Sequence, residues 1–328
     1  MTATPGSIAD PPDALSELLR TVRLTGSVFM NGRFSAPFGV ISPARWDEQD
    51  QMARLRHVSV FHLIAEGRCW LRTGDGKLCE LEKGDLVLLP FTAEHRFWSG
   101  EPNGFGFGPD LIEDGPVNGV GVVRHGGGGE VTRLVCGFLE SAELLAAPLF
   151  RSLPPMLVEH TDCDPVSGAL AGTTGEILHH VDNAAPGTPF LLGRLMELLF
   201  LEVLRRHAER LPDSARGMLA AMRDPVVARA IQMLHQEPAR KWTIDALAAE
   251  AGSSRSVLSE RFNHLLGKPP IEYLTGWRIQ LAAERLRSSP DTLARIADAV
   301  GYESQAAFSR AFKREMGQSP SGWRSRRS

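Results

Sequence analysis

Two kinds of hydrophobic pattern divide the chain. The first 150 residues carry short runs of Val, Leu and Phe between glycine turns, at 58–64, 68–72 and 86–90. Such runs are typical of β-strands, and their spacing predicts an antiparallel barrel. From residue 166 onward the apolar residues recur every three or four positions, which predicts helices. We therefore expect an α+β multidomain protein with a strand-rich N-terminal domain followed by helices.

Two helices are predicted between the strands and the C-terminal region, at 166–181 and 189–207. The second is so rich in leucine that its apolar face is too broad for a free surface helix. It is either a core helix or a contact between two copies of the chain. Residues 211–223 contain the breakers Pro212 and Gly217 and are predicted to be a linker. The expected domains are 1–150, 151–210 and 224–328.

The C-terminal region contains an internal repeat. Residues 243–252 and 292–301 align at a shift of 49, and each segment has a helical apolar pattern that ends in glycine. After that glycine the shift becomes 50, and a second helix with apolar residues at i and i+4 follows in each copy. The matched positions are Leu258, Phe262, Gly267, Pro270 and Tyr273 with Phe308, Phe312, Gly317, Pro320 and Trp323. Helix, tight turn and helix are thus predicted twice. A continuous helix at 270–286 is expected to join the copies.

Helix pairs of this kind present their second helix to the major groove of DNA. If the matched apolar residues point inward, a set of polar side chains is left on the outer face of each second helix. The predicted DNA-binding residues are Arg255, Ser256, Ser259, Gln305, Ser309, Arg310 and Lys313. Arginine and glutamine recognise guanine and adenine, whereas serine and lysine more often bind phosphates.

The charge distribution agrees with that expectation. Residues 224–328 contain 16 Lys and Arg against 11 Asp and Glu, whereas the remaining residues contain 20 against 28. A basic C-terminal third on an acidic chain is the asymmetry expected of a nucleic-acid-binding module.

Residues 301–320, GYESQAAFSRAFKREMGQSP, resemble the signature of the AraC/XylS family of transcription regulators. The similarity extends over residues 224–326. It implies a C-terminal all-α double helix-turn-helix domain that binds double-stranded DNA. It also implies that the helical segment 151–210 forms a homodimer, and that an activator of this kind contacts RNA polymerase.

The N-terminal strands are similar to the cupin barrel, which such regulators commonly carry. Gly84, Pro90 and His95 match the second cupin motif, and His62 matches a histidine of the first. Glu66 fits the glutamate of that motif, but valine stands at position 60, where the first histidine would be, and Thr92 and Ser99 replace a glycine and an asparagine. The resemblance therefore implies a cupin-like antiparallel β-barrel whose usual metal set is incomplete.

Two uses of the barrel interior stay open. A small effector would bind near His62 and His95, with Trp70 and Arg72 as wall residues. Alternatively, His62, His95 and Cys136 would hold a divalent ion such as zinc, although no cofactor is required. A glycine run at 126–129 lacks the residues of a phosphate loop and is predicted to be a hairpin tip.

The composition excludes some classes of protein. No apolar stretch approaches 18 residues, and the N-terminus lacks a basic and apolar leader. Four cysteines at irregular spacing do not form a disulfide framework. We therefore expect a cytoplasmic protein with reduced thiols and no membrane partner.

The combined expectation is a ligand-responsive transcription regulator, an activator rather than an enzyme. Two alternatives remain: a cupin-type metalloenzyme with a helical appendage, and a DNA-binding protein that responds to no ligand.

Overall fold

The computed structural model describes residues 24–43, 58–91, 93–117, 119–141, 149–150, 152–161, 168–183 and 185–325. These residues form two compact units. The strand-rich unit contains the described residues of 24–141 and 153–210, and the helical unit contains those of 149–152 and 211–325. The predicted barrel and the predicted dimerisation segment thus share one unit. Thr92 and Cys163 lie outside the described residues.

The strand-rich unit is built from two sheets. Its strands are β1 Leu24–Ser35, β2 Phe38–Ser42, β3 Val58–Glu66, β4 Arg68–Thr73, β5 Leu78–Glu82, β6 Asp85–Leu89, β7 His95–Ser99, β8 Gly106–Phe107, β9 Glu113–Val117, β10 Val120–Gly126, β11 Val131–Ser141 and β12 Leu157–His160. One sheet has the order β12-β6-β3-β11-β1-β10-β9, and the other has the order β5-β4-β7-β2-β8. Most neighbours are antiparallel, as predicted, but β1 pairs with β10 and β2 pairs with β8 in parallel.

The apolar core of this unit lies between the two sheets. It includes Phe34 and Leu134 from the larger sheet and Leu71 and Phe97 from the smaller one. Alternation along β4 decides which residues reach this core, because Cys69, Leu71 and Thr73 are buried while their neighbours are exposed. The interior of the two-sheet barrel is therefore filled mainly by side chains.

Two helices, α1 Gly168–Asp182 and α2 Thr188–Arg210, accompany the sheets, close to the predicted ranges. α2 packs on the outer side of the larger sheet, where Phe200 meets Phe61 edge to face at 6.3 Å. This explains why β3 is buried on both faces. Glu159 on β12 forms ion pairs with the C-terminal end of α2. Its carboxylate lies 3.2 Å from Arg206 and 2.8 Å from Arg210.

The glycine run at 126–129 does not form a hairpin tip, so that prediction is wrong. β10 and β11 lie on opposite sides of β1 rather than beside each other. The amides of Gly127 and Gly129 donate to the carbonyls of Ser35 and Ala36 at 2.9 and 2.8 Å. A β-carbon on Gly126 would lie 1.9 Å from the Ser35 carbonyl oxygen, so glycine is needed for this close approach.

Residues 211–325 of the helical unit form eight helices. They are α3 Met218–Arg223, α4 Pro225–Gln236, α5 Ile244–Glu250, α6 Arg255–Leu266, α7 Pro270–Ser288, α8 Leu293–Ala299, α9 Gln305–Met316 and α10 Pro320–Ser325. The structure differs from the predicted linker at 211–223, because its second half is the helix α3, whose first four residues are buried. The backbone amide of Gly217 donates to the Leu265 carbonyl at 2.8 Å and anchors the start of α3. Among the described residues no helix is both long and apolar enough to cross a membrane.

Candidate DNA interface and ligand site

The predicted repeat is present as two helix pairs with the same construction. The first pair is α5 and α6, and the second pair is α8 and α9. α5 and α8 have 7 residues each, and α6 and α9 have 12 each. The first turn contains residues 251–254 and the second contains residues 300–304. The second turn is therefore one residue longer, and this extra residue changes the shift from 49 to 50.

The same chemistry closes the helices in both pairs. Ser254 and Ser304 accept hydrogen bonds from the amides of Val257 and Ala307 at 3.3 and 3.2 Å, so each serine caps the start of its helix. At the other end of α6 stands Gly267, with φ +69°, and α9 ends likewise in a left-handed glycine. These local signals explain why the sequence alone located both pairs.

The inward and outward faces of α6 and α9 are as predicted. Leu258 and Phe262 on α6 are fully buried, as are Phe308 and Phe312 on α9. The predicted DNA-binding side chains lie on the remaining face of each helix. Arg255, Ser256, Gln305, Arg310 and Lys313 are exposed, and Ser259 and Ser309 are half-buried.

The two outer faces differ in how their charges are paired. Arg255 on α6 lies 3.8 Å from Asp245, so part of its charge is compensated. For Arg310 and Lys313 on α9, the described part of the chain provides no ion-pair partner. Glu260, which is exposed on α6, would repel phosphate. The second pair therefore offers the stronger surface for a polyanion.

A single helix connects the two pairs. α7 has 19 residues, two more than predicted, and so spans about 28 Å. Its C-terminal half, with Ile279 and Leu286, belongs to the core of the second pair. Tyr273 in its N-terminal half packs edge to face on Phe262 of α6 at 5.5 Å. The connection therefore takes part in the cores of both pairs.

In the strand-rich unit, His62, His95 and Cys136 come together as predicted, and all three are buried. His62 and Cys136 occupy paired positions on β3 and β11, and Nδ1 of His62 lies 2.8 Å from Sγ of Cys136. Nε2 of His62 lies 2.9 Å from Nε2 of His95. Nδ1 of His95 lies 2.8 Å from the Ala93 carbonyl oxygen. The four groups form one line of hydrogen bonds.

The carbonyl at the end of this line fixes the protons. A carbonyl oxygen only accepts, so we assign the proton of His95 to Nδ1, which leaves Nε2 as an acceptor. His62 must then donate from Nε2 and accept at Nδ1 from the Cys136 thiol. Every polar atom of the line is satisfied when both imidazoles and the thiol are neutral.

Burial favours the same neutral state. It lowers the pKa of His95 to about 4. The pKa of His62 lies well below its ordinary value because of burial and the proximity of His95. Burial also raises the pKa of the Cys136 thiol well above its usual range. The thiol is therefore not a reactive thiolate.

This geometry does not fit the predicted metal site. His95 and Cys136 contact opposite ring nitrogens of His62, so the three ligand atoms do not converge on one point. Glu66, the other residue of the cupin resemblance, is exposed and lies 3.8 Å from Arg33. No group of three or more His, Cys, Asp or Glu able to hold a metal ion occurs in the part of the chain that the structure describes.

Space beside the line is small. A cavity of about 30 Å³ next to His62 and Cys136 is lined mainly by apolar side chains, including Phe29, Met30 and Ile112. That volume is far below the roughly 300 to 1,000 Å³ of small-molecule sites. An effector inside the barrel would need these side chains to move.

Trp70 and Arg72 do not line this interior, so their prediction as wall residues beside His62 is wrong. Alternation on β4 places both on the outer face of the smaller sheet. There Trp70 pairs with Trp98, and Arg72 pairs with Arg96, across β4 and β7. The placement follows from the alternation itself, because Cys69 and Leu71 face the second sheet and Arg68 shares the opposite face with Trp70 and Arg72.

Arg72 instead contributes to a groove of about 420 Å³, which we call the outer groove. Arg96, Trp98 and Phe105 line it, and part of His95 reaches it. Sequence reasoning missed these residues. The alternation of Arg96 and Trp98 on β7, which mirrors that of Trp70 and Arg72, was the available signal.

Two family models match the chain: a cupin model over residues 13–209 and a helix-turn-helix domain model over residues 247–326. A putative AraC-like transcription regulator of Streptomyces antibioticus is 33% identical to this chain, and the match covers 96% of this chain and 98% of the relative. One from Streptomyces lividans is 34% identical with the same coverage. The DNA-binding domain of AdpA, solved with a target DNA, is 28% identical over 31% of this chain and 91% of that chain, with a TM-score of 0.30.

The fold and the matched domains define a DNA-binding transcription regulator with a cupin domain. The chain belongs to the AraC-like transcription regulators. The predicted fold class and the predicted function as a DNA-binding transcription regulator are confirmed at the level of this family.

Proposed function

We propose that the chain acts as a homodimer that reads an operator with α6 and α9 and answers to a small effector bound by the strand-rich unit. The observation that carries the DNA-binding part is the α9 face, where Gln305, Arg310 and Lys313 are exposed above a helix fixed by two buried phenylalanines. Arg310 and Gln305 are assigned to base edges and Lys313 to phosphate. On α6 the same roles fall to Arg255, Ser256 and Ser259, and on α9 Ser309 completes the set.

Self-association is supported by the outer face of α2. Phe190, Leu191 and Leu198 are 68%, 44% and 56% exposed. The spacing of Leu191 and Leu198 places them two turns apart on one stripe, while Leu199 and Val203 are buried against the unit. We propose that a second copy of the chain covers this stripe. The second copy carries the same stripe on its own α2, and antiparallel pairing lets each stripe cover the other.

The outer groove is the site we propose for the effector. Its two arginines, Arg72 and Arg96, stand beside the Trp98 and Phe105 rings, and Glu94 pairs with Arg96 at 2.9 Å. Arg72 has no ion-pair partner among the residues described. A ligand there would lie beside His95, the residue whose imidazole belongs to the line that runs to Cys136. No metal takes part in this proposal.

Selection of genomic fragments by the purified chain tests the function. We expect it to retain fragments from upstream of genes and to protect sites that face two successive major grooves. Retention without sequence preference would contradict the proposal. Turnover that depends on an added metal would favour the metalloenzyme alternative, and DNA binding unaffected by any effector would favour the ligand-blind one. We also propose a cytoplasmic location and, if the protein activates, contact with RNA polymerase.

A further inference from the structure

The helical unit contains a pocket of its own, behind the first helix pair. The pocket has a volume of about 410 Å³, within the range of small-molecule sites. The end of α6, the first half of α7 and the start of α3 surround it. We call it the α6–α7 pocket.

The walls of the α6–α7 pocket include two aromatic side chains. Tyr273 and Trp277 line it, and both are buried. Trp277 stacks on His235 with ring centroids 3.7 Å apart, and Nε2 of His235 lies 2.7 Å from the Tyr273 hydroxyl. Burial lowers the pKa of His235 to about 3, so this imidazole stays neutral. The walls therefore offer flat apolar surface for an aromatic ring.

The rim of the pocket is basic. Arg216, His264 and Lys268 line it and are exposed, and the lining contains no Asp or Glu. Neither Arg216 nor Lys268 has an ion-pair partner in the described part of the chain. Unpaired cations around an apolar hollow complement a ligand with an apolar body and an anionic group.

Two further features indicate that the pocket can receive a ligand. A β-carbon on Gly276 would meet no atom within 4 Å, so α7 has a gap in its side-chain surface at the pocket. The indole Nε1 of Trp277 is buried and has no hydrogen-bond partner among the described residues. Buried donors are normally satisfied, so the Nε1 of this lining residue lacks an acceptor.

We propose that the α6–α7 pocket binds a flat, apolar organic anion, such as an aryl carboxylate or sulfonate. Its ring would lie against Tyr273 and Trp277, and its anionic group would lie between Arg216 and Lys268. The ligand would fix the end of α6 against Gly217, whose amide already bonds to the Leu265 carbonyl. Occupancy would thereby bias the position of the first recognition helix. This regulatory part rests on the proposed function, whereas the binding part does not.

A matched pair of dyes tests the binding part on the full-length chain. The anion is 1-anilinonaphthalene-8-sulfonate, and N-phenyl-1-naphthylamine is the same body without the sulfonate. We expect Gly276→Leu, which fills the gap, to abolish one high-affinity site for the sulfonate. Gly172→Leu is the control, because Gly172 also stands on a helix with no atom within 4 Å of its β-carbon.

The charge variants test the ligand class. Arg216→Gln combined with Lys268→Gln should weaken sulfonate binding by about tenfold or more, the effect of lost charge-assisted contacts, and leave the neutral dye unchanged. Lys83→Gln, an exposed lysine of the strand-rich unit, should change neither dye. Arg216 and Lys268 are exposed, so their replacement should not prevent folding. The charge variants therefore test the proposal even if Gly276→Leu does not fold. Equal sulfonate binding in wild type and the double variant would overturn the proposal.

Operator affinity tests the regulatory part. Saturation with the sulfonate should change operator affinity by about fivefold or more in wild type and leave Gly276→Leu unaffected. If the dye binds and operator affinity stays constant, the regulatory part is wrong. If the protein selects no operator at all, the proposed function fails while the dye titration still decides the site.

Discussion

The backbones of Gly26 on β1 and Gly193 on α2 are in direct contact. A β-carbon on Gly193 would lie 2.7 Å from the Gly26 carbonyl oxygen, and one on Gly26 would lie 2.6 Å from the Gly193 carbonyl oxygen. The backbone of α2 can therefore approach the backbone of β1 this closely because neither glycine has a side chain. The outer stripe of the same helix is left facing away from the sheet.

This contact predicts the effect of a single methyl group. Gly193→Ala should destabilise the strand-rich unit by about 1 to 3 kcal/mol, because overpacking outweighs the gain in helix propensity. Gly175→Ala on α1, where no atom lies within 4 Å, should be neutral or stabilising by up to about 1 kcal/mol. Urea unfolding of both variants provides the comparison. Equal stability of the two would mean that α2 does not sit this close.

The neutral line of His62 and His95 predicts acid sensitivity. The folded pKa of His95 is about 4 against 6.5 for an ordinary histidine, so the unfolded chain binds more protons between these values. The contribution of neutral His95 to the free energy of unfolding is about 3 kcal/mol. It is fully present above pH 6.5 and is lost as the pH falls toward 4.

Unfolding free energies between pH 7 and 4.5 measure this dependence. His95→Gln keeps a polar side chain but cannot titrate, so its stability should fall less steeply over that range. A slope as steep as that of the wild type would show that His95 is not the group responsible.

Glu159 predicts a large effect of a buried charge. Both Glu159 and Arg206 are about 95% or more buried, so removing the carboxylate breaks a buried ion pair. Glu159→Ala should cost about 3 to 5 kcal/mol of unfolding free energy. Glu209→Ala, which removes an exposed partner of Arg205, should cost less than about 1 kcal/mol. Similar losses in the two variants would contradict the buried-pair account.

The exposed stripe of α2 predicts the oligomeric state. Leu198→Glu should yield a folded monomer, because the side chain is exposed in the single chain and a charge there only opposes pairing. The monomer should bind a paired operator more weakly, since it loses avidity. Sedimentation and circular dichroism together decide the point. A dimer that survives the substitution would move the interface elsewhere.

The helical unit was predictable because its signals are local. Ser254, Ser304, Gly267 and the paired phenylalanines specify starts, ends and inner faces within a few residues. The strand-rich unit was harder because its contacts join distant segments. The alternation on β4 puts Cys69 and Leu71 on the inner face, so Trp70 and Arg72, which are predicted as interior wall residues, lie on the outer face. Likewise, the sequence groups His62, His95 and Cys136, but their arrangement in a line depends on strand register.

The most direct test of DNA reading compares Arg310→Ala with Lys313→Ala on the selected operator and on unrelated DNA, across a range of salt concentrations. Arg310→Ala should lose about 1 to 3 kcal/mol on the operator only and relax preference at one base pair. Lys313→Ala should weaken binding to both DNAs alike and flatten the salt dependence by about one unit of slope. Undiminished discrimination in Arg310→Ala would contradict the assignment of α9 as the helix that reads the operator.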